Sequence, residues 1–206
     1  MIVKICGIQT LSAAHAAVEA GANWLGFVFA PSKRRITPEQ AKAIVRTLPP
    51  SVQAIGVFVN ETVETIKHTA EKVGLNMIQL HGDEPSHEAE QLPYPIIKAF
   101  AIDHLKDIDV SAYPSDYILI DSPRTSSYGG TGRSFDWHIL QEMSLDLGNI
   151  ILAGGLTCEN INQAIQITQP QGVDVSSGVE TNGRKDNDKI RRFIYQAKNN
   201  KGVVEH

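Results

Sequence analysis

Eight short runs of β-branched and apolar residues recur along the chain, at 2–7, 24–29, 53–59, 77–81, 96–100, 117–121, 149–153 and 172–175. Between them lie stretches whose apolar residues have helical spacing, notably 10–20, 37–48, 61–73 and 160–167, and a last one follows at 188–198. A strand that returns parallel to its neighbour needs a crossover of a dozen or more residues, most often a helix. Eight β-then-α units in 206 residues therefore predict a minimal (β/α)8 TIM barrel, formed as one catalytic domain over residues 1–206. A doubly wound open sheet is the alternative. Its nucleotide fingerprint would be a glycine-rich turn straight after an early strand, whereas Gly129-Gly130-Thr131-Gly132 follows a loop.

Local signals mark several helix ends. Thr37-Pro38-Glu39 places a capping hydroxyl before a first-turn proline and an acid, and Asp83-Glu84-Pro85 reads as the same device before a weaker helix. Gly21 and Gly74 are helix stops. No linker or composition break divides the chain. The net charge of −4 gives no electrostatic ground for a nucleic-acid partner. No apolar run approaches the length of a membrane span, and the first residues form a strand-like segment rather than a secretory leader. Cys6 and Cys158 do not suggest a disulfide framework. The expected setting is the cytoplasm, and a monomer is expected in preference to a dimer.

Residues two apart in a strand share a face. Lys4 and Cys6 do so, as do Gln79 and His81, and Asp174 and Ser176, while Asp121 and Lys98 each stand on one face of an otherwise apolar strand. Val3, Ile5, Ile78, Leu80, Ile97, Ile118, Ile120, Val173 and Val175 then take the opposite face, under helices. Polar groups inside a barrel are costly unless paired. A satisfied internal network would account for Gln79 and Asp174. A site at the C-terminal mouth suits the last polar residue of each strand: Cys6, His81, Asp121 and Ser176.

Gly154-Gly155 ends the seventh strand and Ser176-Ser177-Gly178 the eighth, the two loops between which barrels often hold a phosphate. Lys33-Arg34-Arg35 after strand two is either a solvated run or an anion site. His81, Asp83, Glu84 and His87 lack the helical spacing of a metal motif, because His81 ends a strand and Pro85 opens a helix; no metal is expected. Lys98 is either a Schiff-base lysine, as in barrel aldolases, or an interior ion-pair partner. The loop 122–134, rich in glycine, reads as a mobile cover for the mouth.

Taken in order, Lys4-Ile5-Cys6-Gly7-Ile8, Gly26-Phe27-Val28-Phe29 with Ser32-Lys33-Arg34, Gly56-Val57-Phe58-Val59-Asn60, Gln79-Leu80-His81-Gly82, Leu119-Ile120-Asp121, Gly129-Gly130-Thr131-Gly132 with Phe135-Asp136-Trp137, Leu152-Ala153-Gly154-Gly155-Leu156 and Val173-Asp174-Val175-Ser176-Ser177-Gly178-Val179-Glu180, followed by Gly183 and Lys185-Asp186, resemble the phosphoribosylanthranilate isomerase family. The likeness runs nearly end to end. One departure is Cys158, where the family usually has a proline that suits a first helical turn.

The resemblance implies an Amadori rearrangement of a small phosphosugar, needing neither cofactor nor metal. It implies that Cys6 is the general base and Asp121 the general acid. Arg34 would hold a carboxylate, and the phosphate would rest on Gly154, Gly155, Ser177 and Gly178, with His81, Asp174 and Ser176 completing the phosphate and sugar subsites. Two electrostatic conditions follow. Lys4, below Cys6 on the same face, should depress the thiol pKa, and burial or a nearby anion should raise that of Asp121. Competing readings are a phosphosugar lyase, an aminoaldose isomerase of the histidine pathway, and a barrel that only binds a phosphorylated metabolite.

Overall fold

The first strand shows how this sequence makes its sheet. In β1 (Ile2–Cys6) Val3 and Ile5 are fully buried on one side and Lys4 and Cys6 on the other. A strand buried on both faces is what a parallel sheet under helices requires. The same holds for β2 (Trp24–Val28), β3 (Gln53–Phe58), β4 (Met77–Leu80), β5 (Ile96–Ala101), β6 (Tyr117–Asp121), β7 (Ile150–Leu152) and β8 (Gly172–Val175). Each pairs in parallel with the next, and β8 pairs with β1, which closes the barrel. The structure, a computed structural model, describes residues 1–105, 109–123, 135–142 and 149–200. Most of the loop read as a cover, from residue 124 to 134, lies outside the described residues.

The helices begin where the sequence signals them. Thr10 caps α1 (Leu11–Ala20), which stops at Gly21 in the left-handed conformation. Thr37 and Gln40 form a reciprocal capping box on α2 (Pro38–Val45). Thr62 caps α3 (Val63–Val73), which ends at Gly74. Further on lie α4 (Ser86–Ala89), α5 (His138–Glu142) and α6 (Ile161–Thr168). The last helix, α7 (Asn187–Lys198), is capped by the Asp186 carboxylate and packs on α1, which completes the outer ring.

Two expectations are corrected here. Pro85 is the N-cap of α4 and offers no side-chain cap, while Glu84 is buried and turned away from the helix. Glu84 Oε2 instead meets Lys98 Nζ at 2.6 Å, and the same ammonium reaches the Gly82 carbonyl at 2.8 Å. Lys98 is therefore not inside the barrel. Ile97 and Ala99 belong to the interior cluster with Trp24, Ile55, Met77, Leu119, Ile151 and Ala153. The ion-pair reading of Lys98 holds, but on the helix-facing side, because its counter-ion comes from the β4–α4 loop. The other eight residues assigned to the helix side do lie in the large cluster there.

After β8 the chain makes a feature that strand periodicity does not foresee. A three-residue turn of 3-10 helix (Ser177–Val179) leads into an antiparallel hairpin of β9 (Glu180–Thr181) and β10 (Arg184–Lys185). Its tip is Asn182-Gly183, both with positive φ, the pair that a tight primed turn demands. The hairpin stands at the C-terminal mouth and carries two charged side chains back over it.

Candidate active site

The apolar interior fills the N-terminal half of the barrel, where Trp24 and Tyr117 meet edge to face at 4.9 Å. Toward the other end the inward positions turn polar. A cavity of ≈ 450 Å³ opens there, walled by Cys6, Arg34, Gln79, His81, Asp121, Asp174 and Ser176. Its remaining wall comes from the ends of β2 and β3 and is apolar through Val28, Ala30, Pro31, Val57 and Val59, with Ser32 at its edge. Six of the ten residues named from the sequence thus share one cavity. Gly154, Gly155, Ser177 and Gly178 are not on its wall; they lie beyond the ends of β7 and β8.

Those glycines join the two loops closely. A Cβ at Gly178 would overlap the Leu156 carbonyl oxygen. Gly154 has φ +77, and a Cβ there would lie 2.6 Å from the Ser122 nitrogen and 3.2 Å from the Asp121 carbonyl carbon. The absence of side chains lets the β7 loop rest directly on the backbone that carries Asp121.

On the floor of the cavity Lys4, wholly buried, contacts Asp174 at 3.0 Å. Burial works against the Lys4 charge, but Asp174 and the neighbouring Cys6 outweigh it and raise its pKa. The Cys6 thiol is raised as well. Burial is the main cause and Asp174 adds to it, while the cations Lys4 and Lys185 oppose. Lys4 does favour the thiolate, as expected, yet desolvation exceeds that help, so the thiol is raised and not depressed as foreseen.

Asp121 faces the opposite correction. Burial pushes its carboxyl up, but the hydrogen bond and charge of His81 together with Ser122 bring it below the usual range. His81 Nε2 lies 3.3 Å from Asp121 Oδ2, and the Ser122 N–H donates to Oδ1 at 2.8 Å. Gln79 Nε2 approaches His81 Nδ1 at 2.8 Å, which orients the ring so that its other nitrogen faces the acid. Gln79 Oε1 is buried and has no partner among the described residues. These surroundings favour the thiol at Cys6 and the carboxylate at Asp121.

Arg34 lies at the rim, its stem packed on Gly7: a Cβ at Gly7 (φ +78) would fall 2.7 Å from Arg34 Cδ. Its guanidinium is engaged by Glu180, with Nε donating to Oε1 at 2.6 Å and Nη2 to Oε2 at 3.1 Å. Lys185 donates to the same Glu180 Oε1 at 2.8 Å, and to the Ser176 carbonyl at 2.8 Å. Ser176 Oγ in turn donates to the Cys6 carbonyl at 3.2 Å. Burial pushes the Glu180 carboxyl up, but Arg34 and Lys185 prevail and hold it at about 2. Glu180 and Lys185 had no role in the sequence reading. The Asn182-Gly183 turn was the signal that could have brought them to the mouth. Lys98 does not line the cavity, which leaves the lyase reading without its nucleophile.

Comparison with known proteins gives one answer. Residues 3–196 match the family model described as N-(5'phosphoribosyl)anthranilate (PRA) isomerase. A Bacillus cereus protein named N-(5'-phosphoribosyl)anthranilate isomerase is 52% identical over 200 residues, covering 96% of this chain and 98% of the relative. The crystal structure of phosphoribosyl anthranilate isomerase from Thermotoga maritima superposes with a TM-score of 0.85 at 43% identity, covering 96% of this chain and 99% of that one. A second solved structure, in complex with reduced 1-(o-carboxyphenylamino)-1-deoxyribulose 5-phosphate, has a TM-score of 0.83 at 41% identity and the same coverage. With a closed barrel, a thiol and a carboxylate in one cavity, and matches over almost its whole length, the chain belongs to the N-(5'-phosphoribosyl)anthranilate isomerase family.

Proposed function

We infer that this chain catalyses the Amadori rearrangement of N-(5-phosphoribosyl)anthranilate to 1-(2-carboxyphenylamino)-1-deoxy-D-ribulose 5-phosphate in tryptophan biosynthesis, with Asp121 as general acid and Cys6 as general base. One observation carries the assignment of roles: Cys6 on β1 and Asp121 on β6 both line a single cavity that also holds Arg34. Asp121 gives its proton to the ribose ring oxygen as the C1–O bond breaks, and the nitrogen lone pair forms a protonated imine. Cys6 thiolate then takes the proton from C2. The C–H electrons become the C1=C2 bond of an enolamine, which gains a proton at C1 and loses the hydroxyl proton to give the ketone.

The reaction needs Asp121 protonated and Cys6 as thiolate, the reverse of what their protein surroundings alone favour. For Asp121 the substrate supplies the means. A phosphate held by the backbone of Gly154, Gly155, Ser177 and Gly178 places anionic charge next to Asp121, since Gly154 rests on the Asp121–Ser122 peptide. A nearby anion and the loss of water both favour the protonated carboxyl. Asp174 and Ser176, which share the cavity wall with Cys6, complete the phosphate and sugar subsites, and His81 steadies the Asp121 anion after it has given up its proton. The apolar wall from β2 and β3 accepts the aromatic ring, and Arg34 meets its carboxylate.

Among the described residues no helix is long and apolar enough to cross a membrane. A thiol base must stay reduced, so we place the enzyme in the cytoplasm. We propose that it acts as a monomer, because the candidate cavity is walled by the strand ends and loops of a single barrel. The direct test is fluorimetric loss of N-(5-phosphoribosyl)anthranilate. Cys6→Ser and Asp121→Asn should each lower kcat by about 10³-fold or more while affinity for the product analogue changes little. Near-normal turnover in either variant would reject the assignment.

A further inference from the structure

We propose that Glu180 is a positioning residue for substrate specificity: it fills one edge of the Arg34 guanidinium and so leaves the opposite, end-on edge as the only bidentate seat for the substrate carboxylate. This rests on the functional reading above. A guanidinium holds its five N–H donors in one rigid plane, and a carboxylate binds it best across two of them. The Nε and Nη2 edge is taken by Glu180, at 2.6 and 3.1 Å. The remaining two-donor edge is formed by Nη1 and Nη2. Arg34 itself lines the cavity, so the carboxylate must approach along the guanidinium axis and not from its side.

The arrangement is held at both ends. The Arg34 stem packs on Gly7, the residue after Cys6. Glu180 is held by Lys185, whose ammonium is also bound to the Ser176 carbonyl and, at 3.3 Å, to Ser176 Oγ. The side chains of Glu180 and Lys185 are 6% and 5% exposed, so neither charge can turn to solvent. Lys33, 60% exposed, lies 3.8 Å from Glu180 and is screened by water. The buried trio of Arg34, Lys185 and Glu180 carries one net positive charge, which matches one carboxylate. A second buried cation without Glu180 would repel Arg34 and unseat the fork.

Equilibrium binding of two probes tests this. One is reduced 1-(o-carboxyphenylamino)-1-deoxyribulose 5-phosphate, and the other is the same compound lacking the carboxyl group. In Glu180→Gln the carboxylated probe should lose affinity on the order of tenfold, the scale of a charge-assisted contact, while the carboxyl-free probe stays within about twofold. Glu180→Asp keeps the charge but withdraws it by about 1.5 Å, one C–C bond, and should show a smaller loss confined to the carboxylated probe. Equal losses for both probes would show a general structural role and overturn the proposal. Tighter binding of the carboxylated probe in Glu180→Gln would overturn it too, because Glu180 would then merely compete for Arg34. Wild-type turnover of N-(5-phosphoribosyl)anthranilate, measured separately, tests the functional reading alone and tells the two failures apart.

Discussion

Replacing Lys4 by methionine is the sharpest test of how the barrel floor is held. Lys4 has no exposed surface and its ammonium lies 3.0 Å from Asp174, whose side chain is 9% exposed. Methionine keeps most of the stem volume, so the main loss is charge. That leaves Asp174 buried without its partner, and removing one member of a buried pair costs about 3–5 kcal/mol. Against a total stability of about 5–15 kcal/mol this is a large fraction. For a domain of this size it corresponds to a fall in Tm of roughly 6–20 °C, at about 2–4 °C per kcal/mol. The double variant Lys4→Met/Asp174→Leu removes both charges and should recover most of the loss, because an apolar replacement of a buried pair is often neutral or better. Urea unfolding of the wild type, the two single variants and the double variant closes the cycle. A cost under about 1 kcal/mol for Lys4→Met, or a double variant no more stable than the single one, would refute the reasoning. The same single variant carries a chemical signature. Lys4 opposes the burial that raises the Cys6 thiol, so alkylation of Cys6 should need a still higher pH in Lys4→Met.

Three further outcomes are expected. The Glu180 carboxyl is held at about 2, against an unperturbed 4.5, so its contribution to stability is complete above about pH 4.5 and is lost as pH falls toward 2; Glu180→Gln should flatten that part of the acid limb in urea midpoints taken from pH 7 down to 2. Gly178→Ala would force its methyl against the Leu156 carbonyl, so the two phosphate loops should spring apart, with a stability cost of about 1–3 kcal/mol and weaker binding of the product analogue by calorimetry. Borohydride added with substrate should leave Lys98 unlabelled by mass spectrometry, since it is sealed against Glu84 and Gly82 on the helix side; a reduced adduct on Lys98 would revive Schiff-base chemistry.

The barrel was legible because both its periodicities are strong: strands with apolar residues on each face, and helices with caps such as Thr37-Pro38 and stops such as Gly21. The members of the site were legible for a related reason. A polar residue that ends a buried strand stands out, as Cys6, His81, Asp121 and Ser176 do. What failed was which face a side chain takes, or which way its proton equilibrium leans, where a partner from elsewhere in the chain decides it. In Ile96-Ile97-Lys98-Ala99-Phe100 the apolar residues fit either face, and the face of Lys98 was decided by Glu84, which arrives from another loop. The protonation of Cys6 and Asp121 turns on burial set by the whole ring and on His81 and Lys185, contributed by the loop after β4 and by the hairpin. Glu180, though part of the last matching segment, received no role because its hairpin strands are two residues each, too short for alternation to show.

The seam where β8 meets β1 joins residues 170 positions apart, through Lys4 to Asp174 and through Ser176 to Cys6. Contacts so distant in sequence carry the largest loop-closure entropy and are slow to form. The groups around the Cys6 thiol therefore come together only when the ring closes. The hairpin that fixes Arg34 follows β8 in the chain and is held to the mouth across that same seam. A chain caught with its seam open has neither an ordered thiol nor a fixed arginine fork. Chemical competence and topological completion are one event in this protein, so a partly folded barrel is silent toward its substrate.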